Sequence, residues 1–199
     1  MADSTLQLTQ EQGEILVRLA RRTLEAQLGS PPDQHESEAL NARLQDPSFQ
    51  ENRGTFVCLK LEGQLRGCIG SLMGVGPVAE GVRRNAVNAA FQDPRFEPLS
   101  AQELDRVRIE VSVLTAPQML EFNDGVDLLA RLRPYVDGVI IRKGLASATF
   151  LPQVWEQLPQ PDIFLANLCR KAGLPQDAWR HPPLEVLTYQ VQAFSEKED

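Results

Sequence analysis

The sequence has few of the residues that most often hold metals, and it has no long apolar run. Its 199 residues include three cysteines, none of them in a Cys-x-x-Cys pair, and two histidines. We therefore expect no disulfide framework and no metal site. No apolar run approaches the roughly 20 residues that cross a bilayer. The N-terminus also lacks a basic segment followed by an apolar one, which argues against a secretory signal. These absences predict a cytoplasmic protein with reduced thiols and no cofactor.

The chain also lacks a basic excess. Its net charge of −7 argues against a broad nucleic-acid-binding surface. Sixteen of the twenty basic residues are arginine, so local anion sites are compatible with the composition. The hydrophobic share of 42% and the charged share of 24% are typical of a globular protein. We find no repeat and no linker, and we predict one domain over residues 1–199 with an ordered core at about 9–194.

Hydrophobic periodicity predicts both helices and strands. Apolar residues recur at helical spacing over residues 10–28, after a Thr9–Gln12 capping box. Strict alternation over residues 107–113 predicts a strand with a valine-rich face, and a closing strand is predicted over 184–194. Together these segments predict an α+β fold, mainly an antiparallel sheet flanked by helices.

The least ordinary stretch is Leu65–Gly70, which reads LRGCIG. In an extended segment Arg66 and Cys68 fall on the same face, because side chains alternate with a period of two. Gly67 and Gly70 leave the backbone open to close approach by a ligand or another chain. We therefore expect functional chemistry, if there is any, to involve this strand.

The preceding strand, residues 54–61, forms a hairpin with this stretch, and its register is open to two interpretations. Glu62 and Gly63 are typical of a tight two-residue turn. The apolar pattern instead favours a three-residue loop, which places Val57, Leu59, Leu61, Leu65 and Ile69 on one face and Cys58 opposite Cys68 on the other. We favour the three-residue loop. A slip of one residue would move every side chain to the other face.

Five sequence blocks, in this order, resemble the AMMECR domain family: LRGCIG at 65–70, DPRF at 93–96, EVSVLT at 110–115, ATFLPQ at 148–153 and KAGL at 171–174. They span nearly the whole chain. The resemblance implies an α+β fold with a larger and a smaller lobe. It also implies a cleft at LRGCIG that gathers Arg66, Cys68, Arg95 and Glu110. Tyr135 departs from the family pattern, in which we would expect a small residue after Pro134.

The resemblance further implies a place in a modification pathway, because prokaryotic family members often accompany a Memo-like protein and a radical SAM protein. It assigns this component no step and no substrate. A small-molecule or peptide ligand, if there is one, is therefore unknown.

Each candidate site residue has a functional and a structural interpretation. Cys68 is a nucleophile if Arg66 lowers its pKa, or a thiol that packs as a small hydrophobe. Glu110 is a general base or partner-positioning residue, or an ordinary strand residue in an ion pair. Arg95 either clamps an anion or ties down its own loop. Cys58 is expected to be structural.

Two classes of function follow. The first is an enzyme or enzyme component, with Cys68 and Glu110 as catalytic residues and Arg66, Gly67, Gly70 and Arg95 as binding residues. The second is a module without chemistry of its own that docks a partner, such as a Memo-like protein, through the same strand. A closed cleft with convergent polar groups would favour the enzyme. A flatter exposed patch would favour the docking module.

Overall fold

The computed structural model describes residues 7–30, 33–181 and 183–196. The N-terminal residues used to argue against a secretory signal lie outside these ranges. The described residues form helices and two four-stranded antiparallel sheets, which confirms the predicted α+β class. They divide into a larger unit, up to Leu114 and from Gln192 onward, and a smaller unit, Thr115–Val191.

The larger unit holds the first sheet and most of the helices. Its strands lie in the order β2-β1-β3-β8, so β2 is an edge strand. Its elements are α1 (Gln10–Gln27), α2 (Gln34–Arg43), α3 (Pro47–Gln50), β1 (Thr55–Leu61), β2 (Gln64–Ser71), α4 (Val78–Phe91), α5 (Ala101–Leu104), β3 (Val107–Leu114) and β8 (Val191–Ser195). The first residue of β8 belongs to the smaller unit.

One face of the first sheet packs on helices. Alternation places Val57 and Leu59 of β1 beside Ile109 and Val111 of β3, and all four are fully buried in the first hydrophobic core. The apolar stripes of α1 and α4 complete that core. Helix α1 begins at the predicted capping box, in which Thr9 accepts from the Gln12 N–H. The opposite face of the sheet is left half-exposed.

The smaller unit has its own core and the second sheet, with strand order β4-β7-β5-β6. Trp155 lies at the centre of this core, where its ring stacks on Phe164 at 3.7 Å and its Nε1 donates to the Asp137 carbonyl at 2.7 Å. The elements of the unit are β4 (Gln118–Met119), α6 (Gly125–Arg131), β5 (Gly138–Lys143), β6 (Ala146–Phe150), a 3-10 helix (Pro152–Glu156), α7 (Pro161–Lys171), a second 3-10 helix (Ala178–Arg180) and β7 (Glu185–Tyr189).

The β1–β2 hairpin has the tight turn that Glu62 and Gly63 indicate, and the predicted three-residue loop is wrong. Leu65, predicted to share a face with Val57 and Leu59, instead pairs with Lys60 and is 44% exposed. Leu61 pairs with Gln64, so Glu62 and Gly63 form a two-residue turn with φ values of 52° and 79°. A bulge then shifts the register between Leu59 and Lys60. Beyond the bulge Cys58 lies opposite Cys68, as predicted.

The predicted closing strand over residues 184–194 is two strands in different sheets. The break falls at Gln190, whose N–H donates to the Thr115 hydroxyl and whose carbonyl accepts from the Thr115 N–H. Strand β7 belongs to the second sheet and β8 to the first. Tyr135, the departure from the family pattern, adopts a left-handed φ of 65°, which explains why a small residue suits that position.

Candidate functional site

The two glycines of LRGCIG allow close packing of β2. A Cβ atom at Gly67 would lie 2.2 Å from the Ala89 carbonyl oxygen of α4. A Cβ atom at Gly70 would lie 2.3 Å from the Phe56 ring and from the Thr55 carbonyl oxygen. Both glycines therefore set how closely β2 approaches its neighbours within the chain.

The backbone N–H and carbonyl of Cys68 bond to the DPRF block, on the side of β2 that faces away from β1. Its N–H donates to Asp93 Oδ2 at 2.9 Å, and its carbonyl accepts from Arg95 Nη2 at 3.4 Å. Both groups therefore point away from β1, which makes Cys58 and Cys68 a pair without ladder hydrogen bonds between them. The DPRF block thus covers the middle of the edge strand.

The Asp93 carboxylate accepts most of the hydrogen bonds in this contact. Its side chain is only 2% exposed and accepts from Arg95 Nε at 2.9 Å and from Arg95 Nη2 at 2.7 Å, in addition to the Cys68 N–H. The hydrogen bonds from the Arg95 guanidinium, and then the one from Cys68, hold the pKa of Asp93 well below its usual range. The same pairing raises the pKa of Arg95. This geometry supports the interpretation of Arg95 as a residue that ties down its loop.

Arg66 makes a second, separate ion pair. Its Nε donates to Glu103 Oε1 at 2.8 Å and its Nη2 to Glu103 Oε2 at 3.2 Å, while Nη1 is buried without a hydrogen-bond partner among the described residues. The Arg66 guanidinium, followed by the Ser100 N–H, lowers the pKa of Glu103 to about 2. Arg66 and Arg95 both lie against the Phe96 ring, at 5.9 Å and 5.4 Å from its centroid. We call Arg66, Asp93, Arg95, Phe96 and Glu103 the edge cluster.

A row of side chains crosses the half-exposed face of the first sheet. Cys58 is paired with Cys68 on one side and with Glu110 on the other, so the three share a face. Glu110 accepts from Lys60 Nζ at 2.9 Å and from the Ser195 hydroxyl at 3.3 Å. We call Cys58, Lys60, Cys68, Glu110 and Ser195 the half-exposed face. Cys68 and Glu110 are therefore brought together, with Cys58 between them.

The expectation of three reduced thiols is wrong for two of them, because Cys58 and Cys68 are joined by a disulfide. The predicted register placed the two cysteines opposite each other. The number and spacing of cysteines, which argued against a disulfide framework, carry no information on a single cross-strand disulfide. In this state Cys68 carries no thiolate and cannot act as a nucleophile. Cys169 is the free cysteine among the described residues, and it is fully buried.

The expectation that Arg66 would lie beside the Cys68 thiol rested on regular alternation. The bulge interrupts that alternation, since Gly67 pairs with Leu59 and Leu65 with Lys60, and Arg66 has no partner on β1. Its hydrogen bonds go to Glu103 and to the Pro98 carbonyl instead.

Asp93, Glu103 and Lys60 were not among the site residues predicted from the sequence. The DPRF block itself was the available signal for Asp93, because a carboxylate two residues before an arginine is a ready partner for it.

The described surface offers depressions away from this site. They measure about 370 Å³ along α1, 340 Å³ beside α7 and 330 Å³ between α1 and α2. None of these three is lined by Arg66, Cys68, Arg95 or Glu110. Within residues 7–30, 33–181 and 183–196 no three His, Cys, Asp or Glu side chains are gathered closely enough to hold a metal. In the same ranges, no helix combines the length and the apolar character that a membrane crossing needs.

The fold and the edge cluster define an α+β protein built from two antiparallel sheets, with an LRGCIG edge strand covered by a DPRF loop. The chain belongs to the AMMECR1 family, whose model matches residues 17–194. It is 39% identical to a protein of Methanothermobacter thermautotrophicus, over 95% of this chain and 96% of the relative. A protein of Methanopyrus kandleri is 37% identical, over 96% and 91%. The crystal structure of an uncharacterized protein from Pyrococcus horikoshii matches with a TM-score of 0.77 and 34% identity, over 96% and 94% of the two chains.

Proposed function

We propose that this chain is the docking component of a modification pathway shared with Memo-like and radical SAM proteins. In this proposal a Memo-like protein binds the half-exposed face of the first sheet. The observation that carries the proposal is the internal neutralisation of the candidate catalytic groups. Arg66 is paired with Glu103, Arg95 with Asp93 and Glu110 with Lys60, and the Cys68 sulfur is bonded to Cys58.

This pairing supports a recognition role over catalysis. A general base needs a free carboxylate within reach of a substrate proton, whereas Glu110 already accepts from Lys60 and Ser195. The Lys60 side chain is 43% exposed and Ser195 is also exposed, so the face presents polar groups to a partner. The polar rim of a protein interface has this character.

Charge reversal at the face tests the proposal. We expect Lys60→Glu to weaken binding of the purified Memo-like protein of the same organism by at least about tenfold, since it places two carboxylates together on the docking face. Isothermal titration calorimetry with the full chain measures the dissociation constant. Arg18→Glu is the matched control, because Arg18 on α1 is also an exposed cation paired with an acid, Glu36 of α2. The absence of binding by the unmodified chain, or an equal loss in both variants, would overturn the proposal.

A second candidate is thiol-dependent chemistry at Cys68, favoured by the row that places Cys68, Cys58 and Glu110 side by side. If Cys68 carries this chemistry, we expect Cys68→Ala to abolish pathway function in cells, because no other sulfur occupies the edge strand. Cys169→Ala is the control. Full pathway function in the Cys68→Ala strain would eliminate the candidate.

A further inference from the structure

The two kinds of cysteine in this chain differ in what they can do. Cys169 is fully buried, and burial raises the pKa of its thiol, which makes it inert. Cys58 and Cys68 are instead half-exposed, lie on the half-exposed face, and are bonded to each other. A disulfide that solvent reaches can also be reached by another thiol.

The two sulfurs of the pair are not equally open to attack. Cys58 lies on β1, with β2 on one side and β3 on the other, and its register partner on β3 is Glu110. Cys68 lies on the edge strand, with a neighbouring strand on one side only. The position of Cys68 on the outermost strand therefore favours attack at the Cys68 sulfur.

Interactions other than the disulfide also hold the fold around the pair. Strand β1 is paired with β3 along its full length, and the Glu62–Gly63 turn closes the hairpin. The Asp93 carboxylate holds the Cys68 N–H from the other side. These interactions remain when the sulfur–sulfur bond is broken, so reduction can occur within the native state.

We propose that Cys58 and Cys68 form a reversible thiol–disulfide exchange site whose substrate is a thiol. A substrate thiolate attacks the Cys68 sulfur, a substrate–Cys68 disulfide forms, and the Cys58–Cys68 bond breaks. The electron pair leaves on the Cys58 sulfur, which takes a proton from solvent. A second substrate thiolate attacks the substrate sulfur of the mixed disulfide and releases Cys68 as a thiol. Two thiols are thus oxidised to one disulfide while the cysteine pair is reduced.

The exchange does not rest on the docking proposal, because a small thiol reaches the pair with or without a bound protein. The substrate thiol has two sources, a small molecule or a cysteine pair on another protein. Both share the chemistry of the attacking thiolate, and separate reductants distinguish them.

The test uses the full chain in its native state. The oxidised protein is incubated with glutathione or, separately, with reduced thioredoxin, and free thiols are then alkylated and located by peptide mass spectrometry. We expect Cys58 and Cys68 to become alkylated together while Cys169 stays unlabelled and the far-ultraviolet circular dichroism is unchanged. Oxidised glutathione should restore the disulfide. Reduction by glutathione identifies a small thiol as sufficient, and reduction by thioredoxin alone identifies a protein dithiol.

Three results would overturn the proposal. Cys58 and Cys68 could be fully alkylated even under oxidised glutathione, which would mean that the native chain forms no disulfide. The second result is that neither cysteine becomes alkylated with either reductant unless the protein is denatured. Reduction could also abolish the native circular dichroism, which would make the bond purely structural.

Single variants test which sulfur is attacked. We expect Cys68 in the Cys58→Ser variant to form a mixed disulfide with oxidised glutathione at least about tenfold faster than Cys58 does in the Cys68→Ser variant, because of its access at the edge. Equal rates, or a faster Cys58, would reject Cys68 as the exchanging sulfur. These rates do not involve Lys60, so failure here and failure of the docking test are separate results.

Discussion

At the scale of single residues, Asp93 joins the DPRF loop to the edge strand. Its buried carboxylate binds the Arg95 guanidinium and the Cys68 N–H, so it links the loop after α4 to the middle of β2. A buried carboxylate that loses its charge leaves these donors with a weaker acceptor.

We expect Asp93→Asn to lower the free energy of unfolding at neutral pH by about 2 kcal/mol, the scale of hydrogen bonds to charged groups. The folded pKa of Asp93 lies below its unfolded value. Its contribution is therefore complete above the unfolded pKa and is lost as the pH falls through the folded one. Urea denaturation at neutral and acidic pH should show the difference from wild type shrinking in acid. Glu97→Gln, an exposed change in the same loop, is the control. A difference that is constant with pH would contradict the assignment.

Substitution of Gly67 tests whether the glycines of LRGCIG are needed for packing or for binding. We expect Gly67→Ala to cost about 2 kcal/mol of stability, as overpacking typically does, because its Cβ would meet the Ala89 carbonyl. Chemical denaturation measures the loss, and Gln64→Ala at the exposed start of the same strand is the control. An unchanged stability with impaired partner binding would instead support the binding role expected from the sequence.

The sequence could predict that Cys58 faces Cys68, because alternation along two strands needs only local pattern. It could not predict the hydrogen bond from the Cys68 N–H to Asp93, since the two residues are 25 positions apart and α4 lies between them. The partner of Arg66 was missed for the same reason, because Glu103 is 37 residues away.

At the scale of elements, the β1–β2 hairpin shows how two conflicting signals are reconciled. Turn chemistry at Glu62–Gly63 and apolar alternation each predicted a different register. The bulge adds one residue, so the tight turn coexists with a buried face that keeps Val57, Leu59 and Ile69 but not Leu65. Glu62 is left in a left-handed conformation with φ of 52°.

We expect Glu62→Asn to raise the free energy of unfolding by up to about 1 kcal/mol, because asparagine tolerates the left-handed region better than glutamate. The exposed ion pair of Glu62 with Arg106 would be lost, at little cost. Thermal or urea unfolding measures the change, and Gln64→Asn, just beyond the turn, is the control. A lower stability than wild type would count against the turn geometry.

Long periodic elements were predictable, whereas the break at Gln190 was not. Helix α1 and strand β3 carry enough periodic positions to define their type. Alternation runs without interruption through Leu187, Tyr189, Val191 and Ala193, so it gives no sign that the chain changes sheets. Only the long-range hydrogen bonds between Gln190 and Thr115 mark the change.

At the scale of the whole molecule, the described residues form two hydrophobic cores, and both tryptophans lie in the second. Trp155 stacks on Phe164, and both are fully buried. Native tryptophan emission therefore reports on the second core.

We expect Phe164→Ala to cost about 4 kcal/mol, as for other fully buried phenylalanines, and to shift the native tryptophan emission, because it removes the stacked ring. Fluorescence-monitored denaturation measures both effects. Phe49→Ala, equally buried in the first core, should lower stability without changing the native emission. A shift of equal size in both variants would show that emission does not report on the second core alone.

The cover over the edge strand has a consequence for solubility. An edge strand with free backbone groups can template pairing with another copy and start aggregation. In this chain the central N–H and carbonyl of β2 are already taken by the side chains of Asp93 and Arg95. We therefore expect the salt bridge between Asp93 and Arg95 to hinder pairing of another strand with the middle of β2.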